Sequence, residues 1–429
     1  MTWQPDVETM DREELEQLQL ERLEATLHRV YRNVPFYRKR FDDTGFDPDG
    51  LRSLADLRRL PLTTKRDFRD NHPYGLFAVP LRDVVRVHAS SGTTGLATAV
   101  GYTRNDLKTW ADLVARVLVA GGVGKDDVVQ VAFDYGLFTG AFGFHHGAER
   151  LGASVIPVSS ANPKRQIQIL QDYRTTALVT TPSHGLVLAD AMIEAGVNRN
   201  ALSLRYGLFG AEPWSESMRH ELEEKLRVTA TDNYGLSEVG GPGLSGECLE
   251  RRGLHVAEDH FLVEVVDPET LEPVPAGQVG ELVVTTLTRE ALPVIRFRTR
   301  DLTWLSTERC ACGRTLARMG RVKGRTDDLL IVKGARVFPS EIEAVLLEIE
   351  GTAPHYQILL ERKAGQDEAT VLVEASGAAS GEARADLQAA IQRRLASELG
   401  VAVDVQLVDH KTLQRFEGKA RRVVDRREA

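Results

Sequence analysis

The fold class is decided by residues 154–181, whose sequence is SVIPVSSANPKRQIQILQDYRTTALVTT. Residues 154–158 and 177–181 are short apolar runs of the kind that form buried strands. Residues 164–173, between them, carry apolar side chains at helical spacing. A strand, a helix and a second strand in this order predict an α/β unit whose strands lie parallel in one sheet.

The same alternation of strands and helices continues on both sides of this unit and predicts an α/β fold with a mostly parallel sheet. After residue 281 the pattern changes to alternating strands. At the other end, residues 12–32 have the apolar stripe of a helix packed on the protein surface, and Pro35 is expected to stop it. The remaining predicted elements of this region are strands at 84–89, 128–133 and 204–209 and a helix at 216–226.

A second, smaller domain is predicted near the C-terminus. The sequence turns sharply polar at residues 324–328, and about 100 residues follow, which is a usual domain size. We predict a large N-terminal domain of mixed sheets and helices over 1–323, a hinge at 324–328 and a small mobile α+β domain over 329–429. The elements expected in the small domain are helix 340–348, strands 355–361 and 368–374, helix 382–399 and strand 401–408.

Composition excludes several classes of protein. The 429 residues include 54 Lys and Arg and 62 Asp and Glu, so the formal net charge is −8, which argues against nucleic acid as the main partner. The sequence contains no run of 18 apolar residues, which is the length that a membrane-spanning helix needs. The first ten residues lack the basic and apolar segments of a signal peptide. Three cysteines cannot form a disulfide framework. We therefore expect a cytoplasmic protein.

A loop suited to binding phosphate follows the strand at 84–89. Its sequence, SSGTTG at residues 90–95, combines four hydroxyl groups with two glycines. Backbone N–H groups in such a loop can wrap a polyphosphate, because glycine permits close approach and positive φ. The loop lacks the lysine of a Walker motif, and taken alone it is also compatible with a plain flexible turn.

Five further segments could complete a nucleotide site, and one of them, GLFGAEP at 207–213, ends a predicted strand in a glycine turn. Residues 233–238, NYGLSE, offer a ring to stack on a base and a carboxylate, Glu238, to hold Mg²⁺. Asp301, in RTRD at 298–301, could accept both ribose hydroxyls. The other segments are GRTD at 324–327 and EGK at 417–419. Each alone has a structural explanation, such as a core tyrosine or a capping aspartate, but the ordered set predicts a nucleotide site.

With these segments, the chain resembles the phenylacetate–CoA ligase family of the adenylate-forming superfamily over nearly its whole length. The stretches that carry the resemblance are SSGTTG at 90–95, YGLFTG at 135–140, GAERLG at 147–152, GAEPW at 210–214, YGLSE at 234–238, EDHF at 258–261, RTRD at 298–301 and EGKARR at 417–422. The resemblance implies an ATP- and Mg²⁺-dependent ligase. It would form an aryl-adenylate with release of pyrophosphate and then an aryl-CoA thioester.

The resemblance also implies roles for individual residues. Glu238 would bind Mg²⁺, and Lys419 would bridge the carboxylate and the phosphate as the catalytic lysine. Asp301 and Arg325 would bind ribose and phosphate. The full set implied to bind ATP or AMP is Ser90, Ser91, Gly92, Thr93, Thr94, Gly95, Gly210, Ala211, Glu212, Pro213, Asn233, Tyr234, Gly235, Ser237, Asp301 and Arg325. The residues implied to contact the aryl substrate are Asp134, Tyr135, Phe138, Phe142, Ala211 and Gly235.

In the superfamily that this chain resembles, the small domain rotates between the two half-reactions about a hinge that matches Asp327. Rotation would remove Lys419 and open a path for the thiol of coenzyme A. A hinge at a polar junction between domains is physically reasonable. The alternative is that Asp327 and Asp328 belong to a solvated linker with no role in rotation.

The three cysteines raise a separate possibility, a structural Zn²⁺ site. Cys248, His255, Cys310 and Cys312 would give three thiolates and one imidazole, a suitable tetrahedral set, and His260 is a rival fourth ligand. The spacing Cys-x-Cys is tighter than usual, and 310 − 248 = 62 residues separate the two halves. Buried reduced thiols are therefore the alternative.

The predicted acid pocket departs from the family's usual pattern. The loop continues as Leu96-Ala-Thr98, without the family's common basic residue. Asp134 stands where glycine is usual, and Gly240 is smaller than expected. Asp134 could meet an amino or hydroxyl group on the substrate ring, or it could simply cap a turn. Exchanging large and small side chains between the walls of a pocket changes the preferred substrate. One methylene that does not fit costs about 1–3 kcal/mol of binding free energy.

Three functions remain open from the sequence. The first is an aryl-acid ligase of the phenylacetate type that uses coenzyme A. The second adenylates an amino- or hydroxybenzoate and passes the acyl group to a separate carrier protein or an amine. The third, a non-catalytic nucleotide-binding protein, is opposed by the joint presence of Glu238, Asp301 and Lys419. The family resemblance further suggests a homodimer.

Overall fold

The computed structural model describes residues 1–90, 97–160, 162–349, 351–363, 366–375, 381–409, 412–414 and 422–427. Its α-helices are α1 Pro5–Glu8, α2 Arg12–Asn33, α3 Pro35–Thr44, α4 Lys65–Asp70, α5 Arg104–Ala120, α6 Gly140–Leu151, α7 Pro163–Asp172, α8 Pro182–Glu194, α9 Glu216–Leu226, α10 Pro339–Leu347 and α11 Glu382–Leu399. None of the helices in these ranges is long and apolar enough to cross a membrane.

The strands are grouped in five sheets. In chain order they are β1 Arg86–Ala89, β2 Ala99–Tyr102, β3 Val128–Val131, β4 Ser154–Pro157, β5 Ala177–Thr180, β6 Tyr206–Gly210, β7 Thr229–Leu236, β8 Gly241–Glu247, β9 Leu254–Val256, β10 Phe261–Val266, β11 Gly280–Thr286, β12 Phe297–Thr303, β13 Leu305–Ser306, β14 Arg318–Met319, β15 Gly324–Arg325, β16 Leu330–Val332, β17 Ala335–Val337, β18 Thr352–Lys363, β19 Gln366–Ala375, β20 Asp404–Val408 and β21 Val423–Asp425.

The largest sheet has nine strands in the order β13-β14-β9-β8-β7-β6-β5-β3-β4. Strands β4, β3, β5, β6 and β7 are parallel, and α6, α7, α8 and α9 make the crossovers between them. The four remaining strands run antiparallel. The α/β class is confirmed, but the expected parallel order holds only for the five strands that helices connect.

The main hydrophobic core formed before residue 324 and the core formed after residue 328 are separate from each other. The larger includes Leu23, Leu27 and Val30 of α2, which are fully buried, so this helix packs against the N-terminal part as predicted. Its C-terminal end differs slightly from the expectation. Helix α2 ends at Asn33, and Pro35 occupies the first turn of α3, where its missing N–H costs nothing.

The C-terminal unit has its own core and a four-stranded sheet in the order β20-β19-β18-β21. Helix α11 has the predicted bounds, and the other expected elements are present with ends shifted by a few residues. Three short strands were not predicted, namely the β16–β17 hairpin and β21, which pairs parallel to β18. The exact domain boundary stays a prediction.

Candidate active site

The carboxyl ends of β6 and β7 bring two predicted nucleotide-binding segments together. Gly210 pairs with Asn233 across the parallel strands, and the Asn233 amide donates a 2.6 Å hydrogen bond to the Phe209 carbonyl. A Cβ at position 210 would lie 2.4 Å from the Asn233 carbonyl, so only glycine fits. Ala211 then turns the chain with φ of +69°. Ligands commonly bind at such strand ends in α/β sheets.

A partly buried hydrogen-bonded set links Tyr234, Asp301 and Arg325. The Tyr234 hydroxyl donates to Asp301 Oδ2 at 2.5 Å, and Arg325 Nη1 donates to Asp301 Oδ1 at 2.8 Å. Asp301 and Arg325 face each other in register on β12 and β15 of the sheet β10-β11-β12-β15. Residues from two sheets thus meet at one point, where a polar ligand would find both a carboxylate and a guanidinium.

Electrostatics at this set follow from burial and from the Asp301 carboxylate. Burial raises the pKa of the Tyr234 hydroxyl, and the negative charge of Asp301 raises it further. Burial alone would lower the pKa of Arg325, but Asp301 and Asp327 together raise it. Arg325 also donates to the Asp327 carboxylate at 2.9 and 3.0 Å, so the expected hinge residue contacts the expected nucleotide site.

Glu238 lies in a single turn after β7. Its side chain is only 5 % exposed, and no described residue donates a hydrogen bond or ion pair to its carboxylate. The neighbouring Ser237 hydroxyl is 3.1 Å from Thr139 Oγ1, at the start of α6. Gly235 is required for this turn, because a Cβ there would lie 2.1 Å from the Gly241 carbonyl. A buried, unpaired carboxylate is a suitable cation ligand.

The mouth of the predicted phosphate loop is closed by two hydrogen bonds. Ser90 N–H donates to the Thr98 carbonyl, and Thr98 N–H donates to Ser90 Oγ, both at 3.1 Å. The rest of the loop and the predicted catalytic lysine lie outside the described residues. These positions are Ser91, Gly92, Thr93, Thr94, Gly95 and Lys419.

Two of the predicted aryl-binding residues lie in contact. The rings of Tyr135 and Phe142 meet edge to face with centroids 5.2 Å apart, and the Arg86 guanidinium lies over Phe142 at 5.3 Å. The Tyr135 hydroxyl is 3.2 Å from His145 Nδ1, and burial raises the pKa of this tyrosine. Phe138, by contrast, is 37 % exposed.

Asp134, which was also predicted to contact the aryl substrate, forms hydrogen bonds with two serines. Its carboxylate accepts hydrogen bonds from the hydroxyls of Ser159 and Ser160, just after β4, and its side chain is exposed. This arrangement fits the interpretation in which Asp134 secures a turn between strand ends. Among the described residues, the contacts of the Asp134 carboxylate are with Ser159 and Ser160 and not with the rings of Tyr135 and Phe142.

Sequence reasoning missed a pocket behind the Glu238 turn. The pocket is small, and its lining includes Trp110, Gly240, Pro242 and Arg289. The small residue at 240 leaves this room, since a Cβ there would lie 3.4 Å from Arg289 Nη1. Trp110 and Arg289 belong to no motif, and the glycine at 240 was the one signal in the sequence.

Glu212 and Pro213 complete the turn after β6. The Glu212 carboxylate accepts a 2.7 Å hydrogen bond from the Ser183 N–H at the start of α8. Burial alone would lower the pKa of Arg422, and the negative charge of Glu212 is one of the influences that raise it. The turn therefore lies near the C-terminal unit as well as near Asn233.

The three cysteines and His255 meet in one cluster. Cys248 Sγ is 3.8 Å from Cys310 Sγ, Cys312 Sγ is 3.5 Å from His255 Nε2, and the four ligand atoms all lie within 4.8 Å of one another. His260, the rival ligand, instead pairs with Asp259 and Thr288. The segments 248–255 and 310–312 therefore do meet.

Two protein-family models match the chain. The model for the AMP-binding enzyme matches residues 44–287, which is more than half of the chain. The model for the AMP-binding enzyme C-terminal domain matches residues 334–427. The two matched ranges lie on either side of residues 324–328.

Curated relatives match the chain over its full length. It is 49 % identical to a phenylacetate–coenzyme A ligase of Thermus thermophilus, with all of both chains covered. It is 48 % identical to a phenylacetate–coenzyme A ligase of Escherichia coli, covering 98 % of this chain and 97 % of the relative.

Solved structures of 2-hydroxyisobutyryl-CoA ligase resemble this chain to different degrees in different states. The postadenylation state superposes with a TM-score of 0.93 at 31 % identity, covering 99 % of this chain and 92 % of that one. The thioesterification state, at 32 % identity and covering 100 % and 93 %, superposes with a TM-score of only 0.73. The arrangement of this chain is therefore more similar to the first state.

Proposed function

Because this chain belongs to the phenylacetate–coenzyme A ligase family of AMP-binding enzymes, we propose that it joins an aromatic carboxylic acid to coenzyme A. The acid attacks the α-phosphate of ATP to give an acyl-adenylate and pyrophosphate. The thiol of coenzyme A then attacks the acyl carbon, and AMP leaves. The observation that carries this proposal is the full-length identity of 48–49 % to two phenylacetate–coenzyme A ligases.

The nucleotide is proposed to bind where β6, β7 and β12 end. Asp301 would accept the ribose hydroxyls, and Arg325 would bind phosphate, since its guanidinium already lies against Asp301. The turn at 210–213 and the Tyr234 ring would enclose adenine. The contact between Tyr234 and Asp301 supports a shared role in holding one ligand.

Magnesium is proposed to bind Glu238. The carboxylate is buried and has no partner among the described residues, so a cation would relieve its unfavourable isolation. Mg²⁺ usually takes one or two carboxylates together with substrate phosphate oxygens. The loop 90–95 would supply N–H and O–H donors to the same phosphates, and Lys419 would neutralise the charge gathered in the first step.

The acid is proposed to be of the phenylacetate type. Tyr135 and Phe142 offer an aromatic wall, and Ala211 and Gly235 are proposed to contact the same acid. The carboxylate of Asp134 is occupied by Ser159 and Ser160, which favours an acid without an amino or hydroxyl group for it to recognise. Delivery to a carrier protein or an amine is not favoured, because the full-length relatives are ligases of coenzyme A.

A rotation of the small domain about Asp327 is proposed to separate the two half-reactions. The difference in TM-score between two states of one related ligase supports this, since both structures are of 2-hydroxyisobutyryl-CoA ligase. The contact from Arg325 to Asp327 would couple the hinge to the nucleotide site. The homodimer and the cytoplasmic location stay predictions, and light scattering on the purified chain tests the first.

A structural Zn²⁺ is proposed at Cys248, His255, Cys310 and Cys312. Tetrahedral zinc with Zn–S of about 2.3 Å and Zn–N of about 2.0 Å sets its sulfurs about 3.8 Å apart and sulfur about 3.5 Å from nitrogen. The observed separations are 3.8 and 3.5 Å. The alternative of plain reduced thiols does not require such spacing.

The function is tested by measuring pyrophosphate release with a panel of aryl acids, with and without coenzyme A. We expect phenylacetate to be the best acid and the thioester to accumulate only with coenzyme A. A preference for an aminobenzoate, with adenylate but no thioester, would instead support transfer to another acceptor. No pyrophosphate with any acid would overturn the proposal.

A further inference from the structure

The proposed zinc site lies next to the first ten residues of the chain. We propose that the metal centre holds this N-terminal segment, residues 1–10, on the N-terminal domain through Arg314 and Glu8. This inference rests on the zinc site proposed above but not on the ligase reaction. It assigns the centre a partner within the chain, which neither the family nor the ligand set implies.

Charge balance gives Arg314 its role. Three thiolates, one neutral imidazole and Zn²⁺ carry a net charge of about −1, which is costly in a buried place without a counter-ion. Arg314 is buried, and its Nη1 lies 3.6 Å from Cys312 Sγ. The guanidinium therefore stands where it would offset the excess charge and orient the thiolate, as neighbours of metal ligands commonly do.

The position of Arg314 is set by the same turn that presents two ligands. The Gly313 N–H donates to the Cys310 carbonyl at 3.0 Å, and the Cys310 N–H donates to the Arg314 carbonyl at 3.3 Å. Gly313 has φ of +93°, which suits glycine in a tight turn. A metal that binds Cys310 and Cys312 would fix this turn and hence the start of the Arg314 side chain.

The other side of Arg314 contacts the N-terminal segment. Its Nε donates to Glu8 Oε2 at 2.6 Å, and its Nη2 donates to the Met1 carbonyl at 2.7 Å. Glu8 is 1 % exposed, and its Oε1 accepts from the backbone N–H groups of Trp3 and Gln4, both at 2.7 Å. One guanidinium thus connects the metal ligands to the carboxylate around which the segment folds.

The next residue adds a backbone link. Thr315 N–H donates to the Glu8 carbonyl at 3.1 Å, and Thr315 Oγ1 donates to the Met10 carbonyl at 2.6 Å. Without the metal, the loop 310–315 would lose its two ligand bonds, from Cys310 and Cys312, and the charge beside Arg314 would change. The N-terminal segment would then lose the main surface on which it docks.

The docked segment reaches α5, which lines the pocket behind Glu238. Arg116 Nε donates to Gln4 Oε1 at 2.5 Å, and Trp3 Nε1 donates to Asp112 at 3.3 Å. Trp110 of the same helix lies in the pocket. Because coupling between two binding events is reciprocal, a weakened dock should also loosen the zinc.

The experiment uses the full chain and Zn²⁺ itself. Zinc per chain is measured by mass spectrometry of the metal, and hydrogen exchange of residues 1–10 is followed before and after removal of zinc by a chelator. We expect about one zinc per chain and at least tenfold faster exchange of residues 1–10 after removal. Peptides from β3 should keep their protection.

A pair of variants tests the reciprocal effect. Glu8→Gln touches none of the ligands, yet it should speed zinc loss to a chelator about tenfold. Glu13→Gln makes the same change at an exposed position without a described partner and should not. If Glu8→Gln fails to fold, the exchange measurement on the natural chain still decides.

Each outcome has one meaning. A chain that binds no Zn²⁺ overturns the zinc site, while pyrophosphate release tests the ligase separately. Bound zinc whose removal leaves the exchange of residues 1–10 unchanged overturns the present inference alone. Equal rates of zinc loss from Glu8→Gln and Glu13→Gln would also overturn it. A loss of protection that includes β3 would overturn it as well, because the metal would then stabilise the whole fold.

Discussion

The Tyr234 hydroxyl and the Asp301 carboxylate, 67 residues apart in the chain, form a hydrogen bond of 2.5 Å that links strands β7 and β12 of two different sheets. Arg325 holds the other carboxylate oxygen. Asp301 therefore has a fixed orientation before any ligand binds. A preorganised carboxylate loses little conformational entropy when ribose hydroxyls replace solvent beside it.

Replacing Asp301 should therefore damage nucleotide binding strongly. Hydrogen bonds to charged groups contribute about 1.5–3 kcal/mol each, so we expect Asp301→Asn to lower kcat/KM for ATP roughly 10- to 100-fold. Tyr234→Phe should cost less, because Arg325 still orients the carboxylate. Steady-state kinetics at varied ATP measure both effects. Asp126→Asn, at an exposed carboxylate, is the control and should match the natural enzyme.

A second prediction concerns Glu238 and magnesium. Glu238→Gln keeps the shape of the side chain but removes its charge, so adenylation should fall at least about 100-fold at saturating ATP. The remaining rate should need more Mg²⁺ to reach half its maximum. Pyrophosphate release over a magnesium titration measures this. An unchanged magnesium dependence would assign the metal elsewhere, and Glu14→Gln, also exposed, is the matched control.

How far the sequence predicted the structure depends on whether the signal was local. Helix α9 was predicted with its correct bounds because Ser215 caps it and its apolar spacing is regular. The antiparallel strands β8 and β9 were missed, since β8 is rich in glycine and pairs through contacts distant in sequence. Strand pairing of that kind leaves little trace in periodicity.

In the candidate site as well, the residues with a local sequence signal were predicted and the others were missed. Glycine turns and charged motifs marked Gly210, Tyr234, Glu238 and Asp301, because close backbone approach and paired charge need those residue types. Trp110 and Arg289 carried no such mark. Trp110 reaches the pocket because α5 packs against β8, and Arg289 reaches it from the segment after β11. Only the three-dimensional structure reveals these placements.

A third prediction separates two interpretations of the acid pocket. Asp134→Ala should leave the ranking of aryl acids unchanged, because its carboxylate accepts from Ser159 and Ser160. Phe142→Ala should alter the ranking, since it removes the ring that contacts Tyr135. The measurement is kcat/KM for phenylacetate against its amino- and hydroxyl-substituted forms. A changed ranking in Asp134→Ala would restore a direct role for that residue.

A fourth prediction concerns the pH dependence of stability. Burial lowers the pKa of His88 in the folded chain, and the Arg86 charge lowers it further. Below the ordinary value of about 6.5, the unfolded state therefore binds the extra proton first, so acid favours unfolding. The stability advantage of the natural chain over His88→Gln should shrink from pH 7.5 to 5.5. Urea unfolding at each pH measures this advantage, and His220→Gln, at an exposed position, is the comparison variant.

The last prediction separates the two half-reactions. If Lys419 acts only in adenylation, Lys419→Ala should lower pyrophosphate release by at least about 100-fold, because one full charge is lost where carboxylate and triphosphate meet. The same variant should convert preformed phenylacetyl-adenylate and coenzyme A to the thioester at nearly the natural rate. Lys108→Ala, at an exposed lysine, controls for the loss of charge. Equal damage to both half-reactions would mean that the lysine supports the fold of the small domain, and the proposed rotation about Asp327 would lose its main purpose.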